Sequence, residues 1–435
     1  MWLGVDDTDS SAGMCTTHLA GDLIVAVNDL GLDVIGLPRL VRLNPNVPWK
    51  TRGNGAIAIH VGHGRGDSLQ IGEVDGERHG YPDCRDDAVD MDRVLDAADA
   101  VLRRRAMFDD ETTNPGLVVV PEQLPAELYE RAVHGIVEQA MVHEFIDMAD
   151  GRYIGYKNGR GVIGAAASIA WHPGDVTYEV ITYRNGGERW VDGASVREMD
   201  RCFPSTFDSI DHANGHVAIT PHSPCPVLYG IRGDEPAVLP MAMESVASSE
   251  VARWLLFETN QATDDHLRQR AIRDIKPYES VVVRGTVADV PHTIEGGHVL
   301  FSLSDDDGSI ACAAYEPTKQ FRDVVRRLRP GDVVTACGGV RPSPLTVNLE
   351  KIHVRRLVPC HRKVENPVCP DCGKHMKSHG RNQGYRCAVC GQRAAESEAL
   401  FERVERGLQP GWYEAPVVAR RHLAKPLRRF RRSGA

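Results

Sequence analysis

No stretch of this 435-residue chain is apolar for long enough to cross a membrane. Gly161 to Trp171 is the longest nearly apolar run, against the roughly 20 residues that a span requires. Only Trp2 to Val5 precede the first acids, so no secretory leader is readable and a cytoplasmic location is expected. Neither a Walker A loop nor the Ser-Gly-Gly signature of PP-loop pyrophosphatases occurs, so any ATP site must be built another way. The 11 cysteines do not pair evenly: Cys369, Cys372, Cys387 and Cys390 cluster, and the rest are scattered. That pattern favours a metal site with free thiols over a disulfide framework.

Hydrophobic residues at 42% and charged ones at 26% describe a folded globular protein, and the length suggests about three domains. The net charge of -9 conceals an asymmetry. From Lys351 onward there are 19 Lys and Arg against 7 Asp and Glu, whereas the preceding residues carry 32 against 53. A basic C-terminal region on an acidic body implies a polyanionic partner, unless it is only a solvated tail.

The pattern predicts a multidomain α/β and α+β chain. Strands at Trp2–Val5, Val34–Leu43, Ala56–Val61 and Leu117–Val120 alternate with helices at Thr16–Asn28 and Arg93–Met107, an α/β unit over residues 1–127. Gly62 to Asp90, rich in Gly, Asp and Arg, reads as a surface excursion. A second unit, residues 128–270, contains a β-α-β element (Val227–Ile231, Ala237–Ala247, Trp254–Glu258) and suits a ferredoxin-like fold. In residues 271–358, five strands with a helix at Lys319–Leu328 between the third and fourth have the order of an OB-fold barrel. Residues 359–435 hold two Cys-x2-Cys knuckles 14 residues apart, the spacing of a structural zinc ribbon. Lys374, Lys377, Arg381 and Arg386 lie with Tyr385 between the knuckles. Arg420 and Arg421 follow beyond Trp412 and Tyr413, and basic residues among aromatics suit phosphate contact and base stacking.

Asp6, Asp7 and Asp9 follow the first strand directly, and hard carboxylates so crowded suit Mg²⁺ on nucleotide phosphates. Gly13 to Thr17 open a helix whose free N–H groups can receive a phosphate, with Thr16 or Thr17 as hydroxyl donor or phosphoryl acceptor. An Asp-rich turn before a helix cap would look the same. Lys50, Arg52 and Asn54 sit in a Gly- and Pro-rich run that can clamp phosphates. Gly159 to Gly164 match a dinucleotide fingerprint with no Rossmann half around them, so only a glycine turn into a helix is read there, with Arg160 and Gly161 near a phosphate.

Together these motifs resemble the archaeal isoleucine-tRNA agmatinylcytidine synthetases over essentially the whole chain. The matching stretches are Gly4–Ser11, Gly13–Thr17, Pro38–Ala56, Thr113–Gly116, Pro224–Gly233, Glu295–His298, Glu316–Phe321, the knuckles and Ala419–Leu423. The resemblance implies a kinase-like catalytic domain, a ferredoxin-like domain, an OB-fold and a zinc ribbon. It implies an ATP-dependent ligase that joins agmatine to C2 of the wobble cytidine of a CAU-anticodon isoleucine tRNA, so that the tRNA reads AUA. ATP would end as AMP and phosphates. On this resemblance Asp6, Asp7 and Asp9 hold Mg-ATP, and Thr16 is the phosphate-accepting threonine with Thr17 beside it. Gln261 stands where the family pattern leads one to expect histidine. Many acids, Glu179, Asp192 and Asp200 among them, could meet the cationic amine, and the sequence gives no way to choose. The rival readings are a non-catalytic OB-fold and zinc-ribbon RNA-binding protein, and an RNA-modifying enzyme that uses another amine or only phosphorylates.

Overall fold

The computed structural model describes residues 1–50, 53–380 and 383–430. Strand Trp2–Asp6 alternates by face. Leu3 and Val5 enter a core with Leu19 and Leu23 of helix Thr16–Asp29, while Trp2 joins a second core with Ala165 and Ile169 of helix Gly161–Ile169. The second helix is built from small residues and lies unusually close to the sheet: a Cβ on Gly4 would come 2.3 Å from the Ala165 carbonyl. Asp6 falls on the face of Trp2 and Gly4, so it ends its strand aimed at this helix.

The predicted strand Val34–Leu43 is divided at Gly36 and Pro38 into Asp33–Ile35 and Arg39–Arg42. The region 62–90 is not a surface excursion. Leu69–Glu73 and Glu77–Tyr81 form a hairpin inside a twelve-stranded sheet, where Glu77–Tyr81 pairs with Asp33–Ile35 and Leu69–Glu73 with Arg253–Thr259. A second seam pairs Arg39 and Leu40 with Glu258 and Thr259. The first two units therefore share one sheet. The expected boundary at 127/128 also shifts, because Arg152–Gly155 pairs with Gly116–Val120 of the first unit.

Strands Val227–Gly233 and Arg253–Thr259 flank Thr177–Tyr183 as antiparallel neighbours, joined over helix Leu239–Glu244, which is the expected β-α-β element. The OB-fold expectation agrees strand for strand. Ser280–Val287 pairs with both Val333–Pro342 and Val299–Ser304, closing a barrel completed by Ser309–Ala314 and Leu345–Arg356. The chain then builds the cysteine knuckles and returns to add Gly411–Glu414 beside Leu345–Arg356. Arg406 fixes this excursion to the barrel through Asp332 Oδ2 at 2.6 Å.

Candidate active site and nucleic-acid interface

A cavity of about 370 Å³ opens where the first two units meet the C-terminal segment. Asp6, Asp7, Asp9, Thr16, Thr17, Lys50, Asn54 and Arg160 all line it, which brings residues distant in sequence together, whereas Gly161 does not line it. Arg52 and Arg381 lie outside the described residues.

Asp6 is packed against helix Gly161–Ile169 so closely that a Cβ on Gly164 would come 1.8 Å from its Oδ2. Burial, reinforced by the charges of Asp7 and Asp9, raises its pKa to about 8. Burial also raises Asp7, although the Asn114 N–H donates to Asp7 Oδ2 at 3.1 Å. Asp7 adopts φ 56°, a left-handed turn that carries its side chain away from the strand line. Thr113 Oγ1 donates to the Asp9 carbonyl at 2.7 Å, so the Thr113–Asn114 segment supports the acidic loop.

Among the described residues, the only group of three or more metal-ligating side chains with ligand atoms within 4.8 Å is the four cysteines. The three aspartates do not form a preassembled cage. Hard oxygens on a half-buried, mutually repelling pair nevertheless suit a divalent cation that keeps phosphate and water ligands.

Thr16 and Thr17 begin their helix in the cavity wall, and both are buried. Thr8 Oγ1 donates to Thr16 Oγ1 at 3.2 Å, which leaves the Thr16 proton for another partner. Thr17 Oγ1 lies 3.0 Å from the Cys15 thiol. Across the mouth the Arg160 guanidinium stacks 3.6 Å above the Trp49 ring. Gly161 permits the helix start to touch Gly116, whose N would lie 2.4 Å from a Cβ. Asn54 is held in the lining by its own amide, which donates to the Asn44 carbonyl at 2.8 Å.

Of the many acids in the sequence, Glu179, Asp192 and Asp200 were named without a choice, and the three stand in different places. Only Glu179 lines the cavity. Asp192 caps a helix by accepting from Ser195 N at 2.8 Å, and Asp200 pairs with His212 at 2.9 Å. Glu179 accepts from Arg232 Nε at 3.1 Å and from Gln261 Nε2, and Gln261 Oε1 accepts from Arg42 Nε at 3.3 Å. Gln261 thus links a carboxylate to a guanidinium. His422 closes the group, and it was missed because it lies 190 residues beyond its partner Arg232.

Profiles of the TiaS TCKD domain match residues 2–158, of the TiaS FLD domain 159–266, and of the TiaS C-terminal zinc ribbon domain 366–408. An OB-fold nucleic acid binding domain profile matches 281–355. The chain is 44% identical over 445 aligned positions to the isoleucine-tRNA 2-agmatinylcytidine synthetase TiaS of Archaeoglobus fulgidus, covering 100% of this chain and 98% of that protein. The chain belongs to the TiaS family of isoleucine-tRNA 2-agmatinylcytidine synthetases. A relative of the same name from Methanocaldococcus jannaschii is 40% identical, with 98% of each chain covered. A crystal structure of a TiaS complex with its isoleucine tRNA and ATP superposes with TM-score 0.84 at 42% identity, covering 98% of this chain and 97% of that one. A TiaS complex with the tRNA, AMPCPP and agmatine gives TM-score 0.81 at 40% identity, covering 98% and 96%.

In the family's zinc ribbon, Cys369, Cys372, Cys387 and Cys390 bring their sulfurs within 4.8 Å of one another. Tetrahedral zinc with Zn–S bonds of about 2.3 Å sets its sulfurs about 3.8 Å apart, so the donor set fits. Backbone N–H groups of Cys390 and Val389 hold the Cys387 thiol below its ordinary range, the direction a metal-binding thiolate needs. Lys374, Lys377 and Arg386 are exposed, and Lys377 faces Arg386 across a strand pair.

The remaining basic and aromatic expectations need correction. Arg420 is buried between Asp208 and Glu414, the latter at 2.8 Å, and Arg421 Nη1 donates to Asn46 Oδ1 at 2.6 Å. Tyr385 is buried, and Trp412 stacks on His353 at 4.6 Å between ring centroids. Much of the tail's positive charge therefore neutralises acids of this same chain.

Proposed function

We propose that this chain joins agmatine to C2 of the wobble cytidine of a CAU-anticodon isoleucine tRNA at the expense of ATP. The product is 2-agmatinylcytidine, which decodes AUA. The observation that carries the reading is the one cavity that joins the acidic loop and the Thr16–Thr17 helix start to the Glu179 wall. A tRNA substrate supports a cytoplasmic location.

The cytosine C2 oxygen is a poor leaving group. Phosphorylating it lets the primary amine of agmatine bond to C2 as the C2–O2 bond breaks, with phosphate carrying the oxygen away and the amine nitrogen losing its proton. The reacting base must leave its stack to enter the cavity.

Asp6, Asp7 and Asp9 would hold Mg²⁺, which when bound neutralises phosphate charge. Asp6 then gives up the proton that burial otherwise retains. Thr16 presents its hydroxyl at the helix N-terminus as the phosphoryl-accepting side chain, with Thr17 beside it. Lys50 and Arg160 approach phosphates from the mouth. Agmatine is doubly cationic and needs carboxylate or carbonyl partners; Glu179 is not free for it, since Arg232 and Gln261 already hold both of its oxygens. The ribbon's Lys374, Lys377 and Arg386 grip the tRNA's phosphates.

The test incubates the protein with ATP, Mg²⁺, labelled agmatine and the tRNA transcript, beside Asp7→Asn. Label should enter the tRNA with the wild-type protein and fall at least 100-fold in the variant. Wild-type protein that binds the transcript and transfers nothing would sink the reading in favour of an RNA-binding protein.

A further inference from the structure

After strand Gly411–Glu414 the chain runs back across the first two units as a strap. The Ala262 N–H donates to the His422 carbonyl at 2.7 Å, and the Asp264 N–H to the Leu423 carbonyl at 2.8 Å. Arg420 is anchored on Asp208 before this point, and Lys425 on Asp175 at 2.8 Å after it. The backbone is therefore clamped on both sides of His422, and its side chain enters the cavity wall.

Arg232 Nη2 lies 2.8 Å from His422 Nδ1. A guanidinium has only donors, so Nδ1 must accept and the ring's single proton sits on Nε2. Three cationic side chains, Arg42, Arg232 and Lys50, face the imidazole. With burial they hold its pKa well below the ordinary value, so no second proton is added at neutral pH. Gly53 keeps the Nε2 edge clear: a Cβ there would stand 3.1 Å from Nε2 and 2.7 Å from Arg42 Nη1. Among the described residues, none is seen to accept from Nε2. Glu179 offsets one of the two guanidinium charges beside the ring, leaving this corner positive. A neutral N–H donor set between guanidinium groups in a positive corner suits an oxyanion, and a phosphate is the oxyanion common to both large substrates.

We propose that His422 is a substrate-binding residue of the transfer reaction, its Nε2–H donating, between Arg42 and Arg232, to a non-bridging phosphate oxygen. This rests on the reaction proposed above for the same cavity. The phosphate belongs either to ATP or to the tRNA backbone, and the two sources separate experimentally.

The experiment uses the full-length, zinc-loaded protein with His422→Phe, His422→Asn and His422→Gln. Affinity is measured separately for a non-hydrolysable ATP analogue and for the tRNA transcript, alongside kcat and the melting temperature. Asparagine keeps an acceptor for Arg232 near the Nδ1 position and has no donor near Nε2, whereas glutamine carries an amide to the Nε2 position. His422→Phe and His422→Asn should weaken one of the two ligands at least tenfold, with glutamine recovering most of the loss. Loss confined to the ATP analogue assigns the triphosphate, and loss confined to the transcript assigns the tRNA backbone. Affinities within twofold of wild type in His422→Asn would overturn the proposal, because the ring would then serve only to seat Arg232. A fall confined to kcat would overturn it as well. Both affinities are readable without turnover, so an inactive wild-type protein would count against the reaction and leave this result standing.

Discussion

The space for Asp6 exists because position 164 has no side chain. Placing Cβ there would press on Oδ2 at 1.8 Å, so either the helix or the carboxylate must move. Displacing a reacting group by about 1 Å costs on the order of 100-fold in rate. Gly164→Ala should therefore lose about that much label transfer while the far-UV spectrum is unchanged. Asp6 also gives a pH signature. Its pKa is raised from the ordinary 3.8 to about 8 by burial, so the folded state holds a proton that the unfolded state has lost. Stability in the absence of metal should fall as pH rises from about 4 to 8. Asp6→Asn should flatten that fall, measured by melting in chelator between pH 5 and 8.5, while Mg-ATP should restrain it in the wild type. The acidic loop was legible in the sequence because its three carboxylates are local, crowded and placed directly after a strand. The Glu179, Arg232 and Gln261 group was not, since its hydrogen bonds span up to 82 residues and no short pattern encodes them.

Among the elements, the OB-fold strands and the cysteine knuckles were readable because alternation and Cys-x2-Cys spacing are short-range signals. The 62–90 hairpin was misread for the opposite reason. Its Gly, Asp and Arg content imitates a loop, yet the glycines serve close packing: a Cβ on Gly80 would meet the Gly36 carbonyl at 2.1 Å, and one on Gly72 the Trp254 carbonyl at 2.5 Å. The ribbon carries a separate expectation. Lys377 and Arg386 are paired across two strands and exposed. The double change Lys377→Glu with Arg386→Glu should weaken tRNA binding at least tenfold and reduce its salt dependence, with ATP affinity unchanged. Filter binding over a salt series would read this, and an unchanged slope would remove the ribbon from the interface.

Across the whole molecule, net charge was a poor guide to what the tail does. A basic excess after residue 350 suggested a free polyanion-binding segment, but Arg420, Lys425 and Arg429 find Asp208, Asp175 and Asp234 in the acidic body. Charge counted along a chain does not reveal whether its complement lies outside or folded beneath it. Arg420→Glu should consequently act on folding, leaving Asp208 and the half-buried Glu414 beside a third carboxylate. A loss of about 3–5 kcal/mol in urea unfolding is expected, with the salt dependence of tRNA binding unaltered.

The shared sheet has one more consequence. Because two seams, Gly72–Glu73 with Trp254–Leu255 and Arg39–Leu40 with Glu258–Thr259, bond the first two units edge to edge, they cannot swing apart as hinged jaws. The cavity between them is then a gauge of fixed span. An amine one methylene shorter or longer than agmatine should then transfer about 10- to 200-fold more slowly, because a fixed span cannot adjust to its length.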